Sequence, residues 1–473
     1  MHVDLLIIGT GSGNSILTEE HAHLSTAIIE RGVFGGTCLN RGCIPSKMLV
    51  MPAHRVVEAE ESARLGVLFA PPTVDWSAIR DRTFGRIDPI AADGERYRRS
   101  QDHVTVLSGD ARFSGPRSVA VTGVDGSTTE VSADRIVLAA GASPVVPDIP
   151  GLAGTPFQTS DTVMRIDRLP EQLVIIGGGF IAAEMGHAFA AFGSDVTVVH
   201  RGPTMLSHED AEVSRSFTEQ FGRRVRLVLS TSATGVEHSA DAGVDGRFRV
   251  SLSSGEVIEG DCLLVSTGRR PNGADLDVEV AGVRLDEGGY VITDETLRTA
   301  AEGIWALGDI RNPRQLKHLA NREAKVVSHN LLHPESPVLF DERVVPHAVF
   351  SHPEVGSVGL REEDLLAAGR PHLVGRCGYD GVAYGWALED HDGFAKVVVC
   401  PETGLLLGGA VIGPQAATLI HQISQAMTFG LTAERLAREQ IWAHPALAEV
   451  LENALLDAMA KLDAMAKLDA MED

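Results

Sequence analysis

Nowhere in the chain do about 18 apolar residues run uninterrupted, so no membrane-spanning helix is expected. Positive charge is also short: 41 Lys and Arg stand against 64 Asp and Glu, a net −23. That balance argues against a general affinity for nucleic acid or anionic membranes, while leaving room for local basic pockets. The opening strand-like stretch, Val3–Ile8, is too short for a signal-peptide core and carries no cleavage site. A soluble, cytoplasmic protein is expected. Cysteine is scarce, with five in 473 residues. Cys262, Cys377 and Cys400 stand alone in apolar or strand-like contexts and are expected to be buried structural thiols. Cys38 and Cys43 differ.

What is plentiful is glycine: 49 residues, against about 33 for an average chain of this length. They cluster, as turns do where backbone must approach a ligand. At 473 residues the chain exceeds one hydrophobic core, so two to four domains are expected. Two strand–glycine–helix units, opening at Val3 and Leu173, imply two nucleotide sites. In the first, Gly9-Thr-Gly11-Ser12-Gly13 follows the strand, and Glu30 ends the next one, Thr26–Ile29. The glycines admit a pyrophosphate to the amides of a following helix, and the carboxylate is placed for a ribose. Asn14 replaces the small residue usual in the third position, which loosens the expected packing. In the second unit, Gly177-Gly-Gly179-Phe180-Ile181-Ala182 follows the strand, and the next strand ends in His200-Arg201. A guanidinium there suits a 2′-phosphate, which favours NADPH over NADH. An ordinary exposed arginine is the alternative.

The segment Gly35-Gly36-Thr37-Cys38-Leu-Asn-Arg-Gly-Cys43-Ile-Pro-Ser-Lys47 is the most informative. Residues five apart on a straight helix have Cα atoms roughly 8–9 Å apart, too far for a disulfide. Gly42 and Pro45 allow a distorted turn followed by a helix beginning near Pro45. The alternatives are a metal site, for which no second ligand pair has suitable spacing, and a structural disulfide, which does not suit a reducing compartment. No metal is expected.

With the paired nucleotide units, this motif resembles the pyridine nucleotide–disulfide oxidoreductase family, over nearly the whole chain to about Leu456. The resemblance implies an α/β fold with two Rossmann-like domains, for FAD and NADPH, and a C-terminal α+β dimerisation domain. The FAD domain would span 1–155 and 269–335, the NAD(P)H domain 156–268 and the dimerisation domain 336–456. The repeats of Asp457-Ala-Met-Ala-Lys-Leu462 would leave 457–473 as a low-complexity tail, a continued or frayed helix. Carried over residue by residue, Cys43 would lie against the flavin as the charge-transfer thiolate and Cys38 would attack substrate. Lys47 would sit near the flavin and pair with Glu184. Gly36, Thr37, Gly141 and Asp309 would join the FAD site, the last on the ribitol chain. Phe180 would gate the nicotinamide pocket, with Ile181 and Gly268 beside the coenzyme. His444, oriented by Glu449, would be the acid–base residue, acting from the partner subunit of a homodimer; a thiol of ordinary pKa, about 8.5, needs such a base.

Within the family, scattered blocks resemble the branch that reduces mycothione: Ile8–Ser15, Phe84–Ala91, Asp161–Ile166, Lys317-His318 and Asp380–Trp386. Glu19 stands on the expected helix after the first glycine loop, where an arginine would be needed to hold the carboxylate of glutathione disulfide; a carboxylate there is repulsive. A disulfide of hydroxyls and amides meets no such objection. Arg41 is expected to favour the thiolates, and the run Arg96-Tyr97-Arg98-Arg99 to be a solvated basic face. Ser207 and His208 stand where a second phosphate-binding arginine is usual. Dihydrolipoamide dehydrogenase and glutathione reductase-like activities are the rival enzymes. A redox-idle flavoprotein binding module is the rival of another class.

Overall fold

The computed structural model describes residues 1–240 and 246–472. Strand His2–Ile8 is buried at every position from Leu5 onward, as a central parallel strand covered on both faces must be. It pairs in parallel with Thr26–Glu30 on one side and Thr128–Leu138 on the other. Val104–Ser108 extends the sheet beyond Thr26–Glu30, and Ile304–Ala306 pairs with the end of Thr128–Leu138. The antiparallel strands Asp110–Gly115 and Ser118–Thr122 complete seven.

A second parallel sheet runs in the order Arg226–Val228, Asp195–Val199, Gln172–Ile176, Cys262–Val265. Helix Phe180–Phe192 packs against it and is buried nearly all round, from Ala182 to Phe189. A ribbon, Ala142–Pro144 against Arg269–Pro271, spans the crossings between the two sheets. The C-terminal part is a five-stranded antiparallel sheet in the order His347–Val349, Val355–Gly359, Leu406–Ile412, Phe394–Val399, Leu373–Gly378. Helices Ala416–Phe429 and Glu449–Glu472 share its core. Small residues let the last helix sit close: a Cβ on Gly375 would fall 1.9 Å from the carbonyl oxygen of Ala454. This helix continues through the repeats, and Ala458 and Met459 of the first copy are buried. The expected α/β architecture, two Rossmann-like sheets and a C-terminal α+β layer, is present. No helix among the described residues is long and apolar enough to cross a membrane.

Three expectations need correction. No α-helix follows the first glycine loop; two short 3₁₀ turns, Ser12–Ser15 and Glu19–His21, stand there instead. Local bonds compete with the helix: Ser15 Oγ donates to the carbonyl of Ser12 at 2.7 Å, and the Thr18 and His21 side chains cap each other's turn. Glu19 is exposed on the second turn. The basic run is not wholly solvated, because Arg98 is 7% exposed. Its Nε donates to Asn14 Oδ1 and its Nη2 to the Asn14 carbonyl, both at 2.7 Å. Asn14 thus serves as an anchor for the turn. Finally, the three solitary cysteines are partly exposed rather than buried; Cys262 opens its strand and Cys400 follows one.

Replacing Arg98 by Ala leaves those buried carbonyls without a donor, a loss of about 2 kcal/mol. Thermal melting should show a fall of several degrees together with weaker flavin retention; an unchanged melt would remove Arg98 from the scaffold of the loop.

Candidate active site

Cys38 stands in the short helix Gly36–Asn40, and Cys43 is the first residue of helix Cys43–Glu61. The helix starts two residues earlier than Pro45, because the chain breaks at Gly42, with φ −136 and ψ −114. A Cβ there would lie 3.2 Å from the Thr37 carbonyl oxygen and 3.6 Å from Cys38 Cα, so the close fold-back favours glycine. Asn40 Nδ2 secures the short helix by donating to the carbonyls of Phe34 and Gly36, each at 3.0 Å. The thiols are free and hydrogen-bonded to one another. The Cys38 hydrogen bond, and then the Lys47 ammonium, bring the Cys43 thiol down to about 7 against the opposing effect of burial. Cys38 moves the other way, pushed up by its place as the donor to Cys43 and by burial.

Lys47 follows Cys43 by one helical turn. Its Nζ lies 2.5 Å from Glu184 Oε1, on the helix of the second glycine unit, and 4.3 Å from the centre of the Phe350 ring. The Phe350 amide also donates to Glu184 Oε1, at 3.2 Å. Three distant parts of the chain therefore meet behind the dithiol. Arg41 does not face the sulfurs: its Nη1 is 3.3 Å from Asp161 Oδ2. Asp161 is shared with Arg269, at 3.2 Å, which also donates to the Ala142 carbonyl.

The dithiol opens into a cleft of about 3840 Å³, several times the room one small ligand needs, about 300–1,000 Å³. At one end are Gly9, Gly11, Ser12, Glu30, Gly36, Thr37, Gly141 and Asp309; at the other, Gly177, Gly179, Phe180, Ile181, His200, Arg201 and Gly268. The two ends are built alike. Gly9 has φ +103 and Gly177 φ +136; a Cβ on either would fall 2.3 Å from a carbonyl oxygen, of Ala139 and Ser266 respectively. Gly13 lies behind the loop, where a Cβ would come 2.7 Å from that of Ala139. Glu30 is held by the amide of Thr10 at 3.0 Å, its hydroxyl at 2.5 Å and the amide of Gly32 at 2.8 Å. Asp309, in the turn Gly308–Ile310, is pushed up by burial, with Arg269 and Lys317 opposing. Lys317 donates to Ser12 Oγ at 2.8 Å.

At the other end Gly179 has no atom within 4 Å of where a Cβ would sit, so the loop is open to the cleft. Phe180 is 51% exposed. His200 and Arg201 part company. The His200 ring folds back on the loop, so that a Cβ on Gly178 would come within 2.4 Å of it. Burial and the neighbouring Arg201 push the imidazole pKa down, leaving exposed Arg201 as the cation.

His444 and Glu449 lie elsewhere. His444 Nδ1 is 2.8 Å from Glu449 Oε1, and the Ala446 amide holds the other oxygen at 2.9 Å. The carboxyl is held low by the imidazole. The imidazole is exposed, and neither residue lines the cleft of its own chain.

Comparison with known proteins agrees with this geometry. The pyridine nucleotide-disulphide oxidoreductase family model matches residues 3–324, and the dimerisation domain of the same family matches 345–455. The chain belongs to that family. Mycothione reductase of Mycobacterium tuberculosis is 45% identical, over 96% of this chain and 98% of its own. A dihydrolipoyl dehydrogenase of Haloferax volcanii is 33% identical, over 97% and 96%. The HOCl-induced flavoprotein disulfide reductase of Escherichia coli superposes with a TM-score of 0.83 at 27% identity, covering 96% of this chain and 99% of that one.

As a member of the family, the protein is a pyridine nucleotide-dependent disulfide reductase that uses FAD, and its dimerisation domain supports a homodimer. The residues fit the flavin. The glycine approach at Gly9 leaves backbone amides free of side chains, and the half-buried Asp309 and fixed Glu30 offer carboxylates to hydroxyls. Thr10, Lys317, Asp161 and Arg269 were not singled out as site residues from sequence. Arg269 is conspicuous there only as the residue that follows a domain boundary.

Because its pKa is lowered to about 7, Cys43 is thiolate above that pH and thiol below it in the reduced protein. An NMR titration with isotope-labelled cysteine should show this transition, with Cys38 ionising only in much stronger alkali. Lys47→Met should move the Cys43 midpoint upward, leaving about fivefold less thiolate at pH 7; an unmoved midpoint would separate Lys47 from Cys43.

Proposed function

We propose that the protein reduces mycothione to mycothiol with NADPH. The dithiol backed by the Lys47–Glu184 pair, in one cleft with both dinucleotide loops, carries this reading. The 45% identical mycothione reductase supports the substrate. When bound, FAD relays an electron pair from the nicotinamide to the Cys38–Cys43 disulfide. Gly9, Gly11, Ser12, Gly13, Glu30, Gly36, Thr37, Gly141 and Asp309 would hold it, together with Lys47, which Glu184 fixes. Gly177, Gly179, Phe180, Ile181, Arg201 and Gly268 take the coenzyme, with Arg201 on the 2′-phosphate and His200 as packing for the loop.

The Cys38 thiolate attacks one sulfur of mycothione and displaces the first mycothiol as a thiolate, which takes a proton. Cys43 then attacks Cys38 in the mixed disulfide, re-forming the Cys38–Cys43 bond and releasing the second mycothiol. In sum, NADPH, one proton and one disulfide give NADP⁺ and two thiols. Cys38 holds its proton more firmly than Cys43, raised by its bond to Cys43 and by burial, so a base must take it. We assign the proton transfers to His444 of the partner subunit, oriented by Glu449, and the cytoplasm as the reducing compartment that keeps substrate thiols free.

Steady-state assays of the dimeric holoenzyme with mycothione, glutathione disulfide and lipoamide test the substrate, each with NADPH and NADH. Mycothione with NADPH is expected to give the highest kcat/KM; lipoamide with NADH as the best pair would overturn the reading. Cys38→Ser should abolish turnover, and His444→Gln should lower kcat by about a hundredfold or more. Arg201→Ala should raise KM for NADPH about tenfold with little change for NADH.

A further inference from the structure

After strand Asp195–Val199, the chain carries Arg201 past the cleft and then runs through Leu206 to Asp210, which caps helix Ala211–Phe221. The end of this loop is gripped from the C-terminal sheet. Glu209, 6% exposed, accepts from Ser357 Oγ at 2.5 Å and lies 2.7 Å from His347 Nε2. Asp210 accepts twice from Lys396 Nζ, at 3.0 and 2.9 Å, and the same ammonium is 2.5 Å from Glu362. Arg361 donates to the His208 carbonyl at 3.3 Å.

Lys396 is an unusual residue for its place. Strand Phe394–Val399 is buried at all six positions, and Lys396 itself is 4% exposed. Burying an ammonium there costs several kcal/mol before its partners offset it, so an apolar residue would serve stability as well. A lysine can do what an apolar residue cannot: fix a carboxylate on a neighbouring domain in one place. Position, rather than stability, is what the pair supplies.

The grip passes on to the coenzyme loop. Leu206 adopts φ +51, a strained backbone for a branched side chain. Its amide donates to the carbonyl of Gly178, the middle glycine of the second loop, at 2.7 Å, and its own carbonyl accepts from Ser214 Oγ at 2.6 Å. One continuous set of hydrogen bonds thus leads from the C-terminal sheet through Glu209 and Asp210 to Leu206 and Gly178.

We propose that Lys396 and Ser357 are positioning residues for the pyridine nucleotide, holding loop 206–210 so that Gly178, Gly179 and Arg201 stand in nucleotide-binding geometry. This rests on the reading of the second glycine loop as the coenzyme site. Both residues lie within the stretch matched by the dimerisation domain. The sheet of the dimerisation domain therefore also sets coenzyme affinity.

The test uses the flavin-loaded dimer with Lys396→Met, Lys396→Arg and Ser357→Ala. Binding of NADP⁺ is measured by calorimetry, and KM for NADPH and for the disulfide by steady-state kinetics. Lys396→Met is expected to weaken NADP⁺ and raise KM for NADPH about tenfold, Ser357→Ala about threefold, with KM for the disulfide and flavin content unchanged and Lys396→Arg restoring much of the loss. Ser357→Ala keeps the test open should Lys396→Met fail to fold, since it removes one hydrogen bond and leaves every charge. Unchanged coenzyme binding in the folded variants would overturn the proposal, as would equal losses for coenzyme and disulfide. A wild-type protein that binds neither NADP⁺ nor NAD⁺ would instead overturn the coenzyme site itself.

Discussion

A continuous helix through residues 36–61 would point Cys38 and Cys43 to different sides and hold their Cα atoms too far apart for any bond. The break at Gly42 removes both obstacles in two residues. It turns Cys38 back toward Cys43 and makes Cys43 the first residue of a 19-residue helix, where unpaired amides favour an anion. Lys47 then falls one turn away on the side of the sulfur. Without the interruption there is neither a disulfide to accept electrons nor a thiolate stabilised by Lys47 once it is reduced. The other features of the cleft serve this bend.

Charge around the bend is balanced across domains. Lys47 lowers the Cys43 pKa while the Glu184 carboxylate raises it, and the two carriers meet at 2.5 Å. Glu184 alone would suppress the thiolate, and Lys47 alone would be a half-buried cation without a partner. Paired, they leave a dipole with its positive end toward sulfur. The pair also ties the helix of Cys43 to the helix after the second glycine loop, so the spacing of the two ends of the cleft is set beside the dithiol. The Phe350 amide on Glu184 brings the C-terminal part into the same arrangement.

What could be read from sequence is what depends on near neighbours. Strand, glycine turn and acid recur at short spacing around Gly9 and Glu30, and Gly177 repeats the turn, because a tight turn and a close backbone approach act within a few residues. The cysteine spacing is equally local. Lys47 with Glu184 came from resemblance, since no periodicity links positions so far apart; His444 with Glu449 did too, because a histidine five residues before a glutamate carries no chemistry until the family's pattern is laid on it. Arg98 shows the limit. In sequence it is one of three arginines on a helix end, and only the fold reveals carbonyls of Asn14 and Leu17 waiting for it. The same blindness made a helix of residues 12–21, where side chains of Ser15, Thr18 and His21 close 3₁₀ turns. His200 and Arg201 are adjacent, so pattern cannot say which enters the loop and which faces the cleft.

The thiol pair also limits what one chain can do alone. Two sulfurs in hydrogen-bond contact cannot both ionise easily, and the proton that Cys43 gives up is retained by Cys38. Cys43 is therefore the better anion, while Cys38, the attacking sulfur of the proposed mechanism, is the more reluctant acid. Lys317 eases Cys38 electrostatically, and its ammonium already donates to Ser12. An ammonium can stabilise a thiolate but cannot return a proton cheaply to a departing thiol. That task needs a group that can both take up and give back a proton, and an imidazole held by a carboxylate is built for it. His444 has that pairing, yet it faces solvent outside its own cleft. Neither the dithiol nor the exposed imidazole is complete in a single chain, which is why the proposed mechanism draws His444 from a second copy joined through the dimerisation domain.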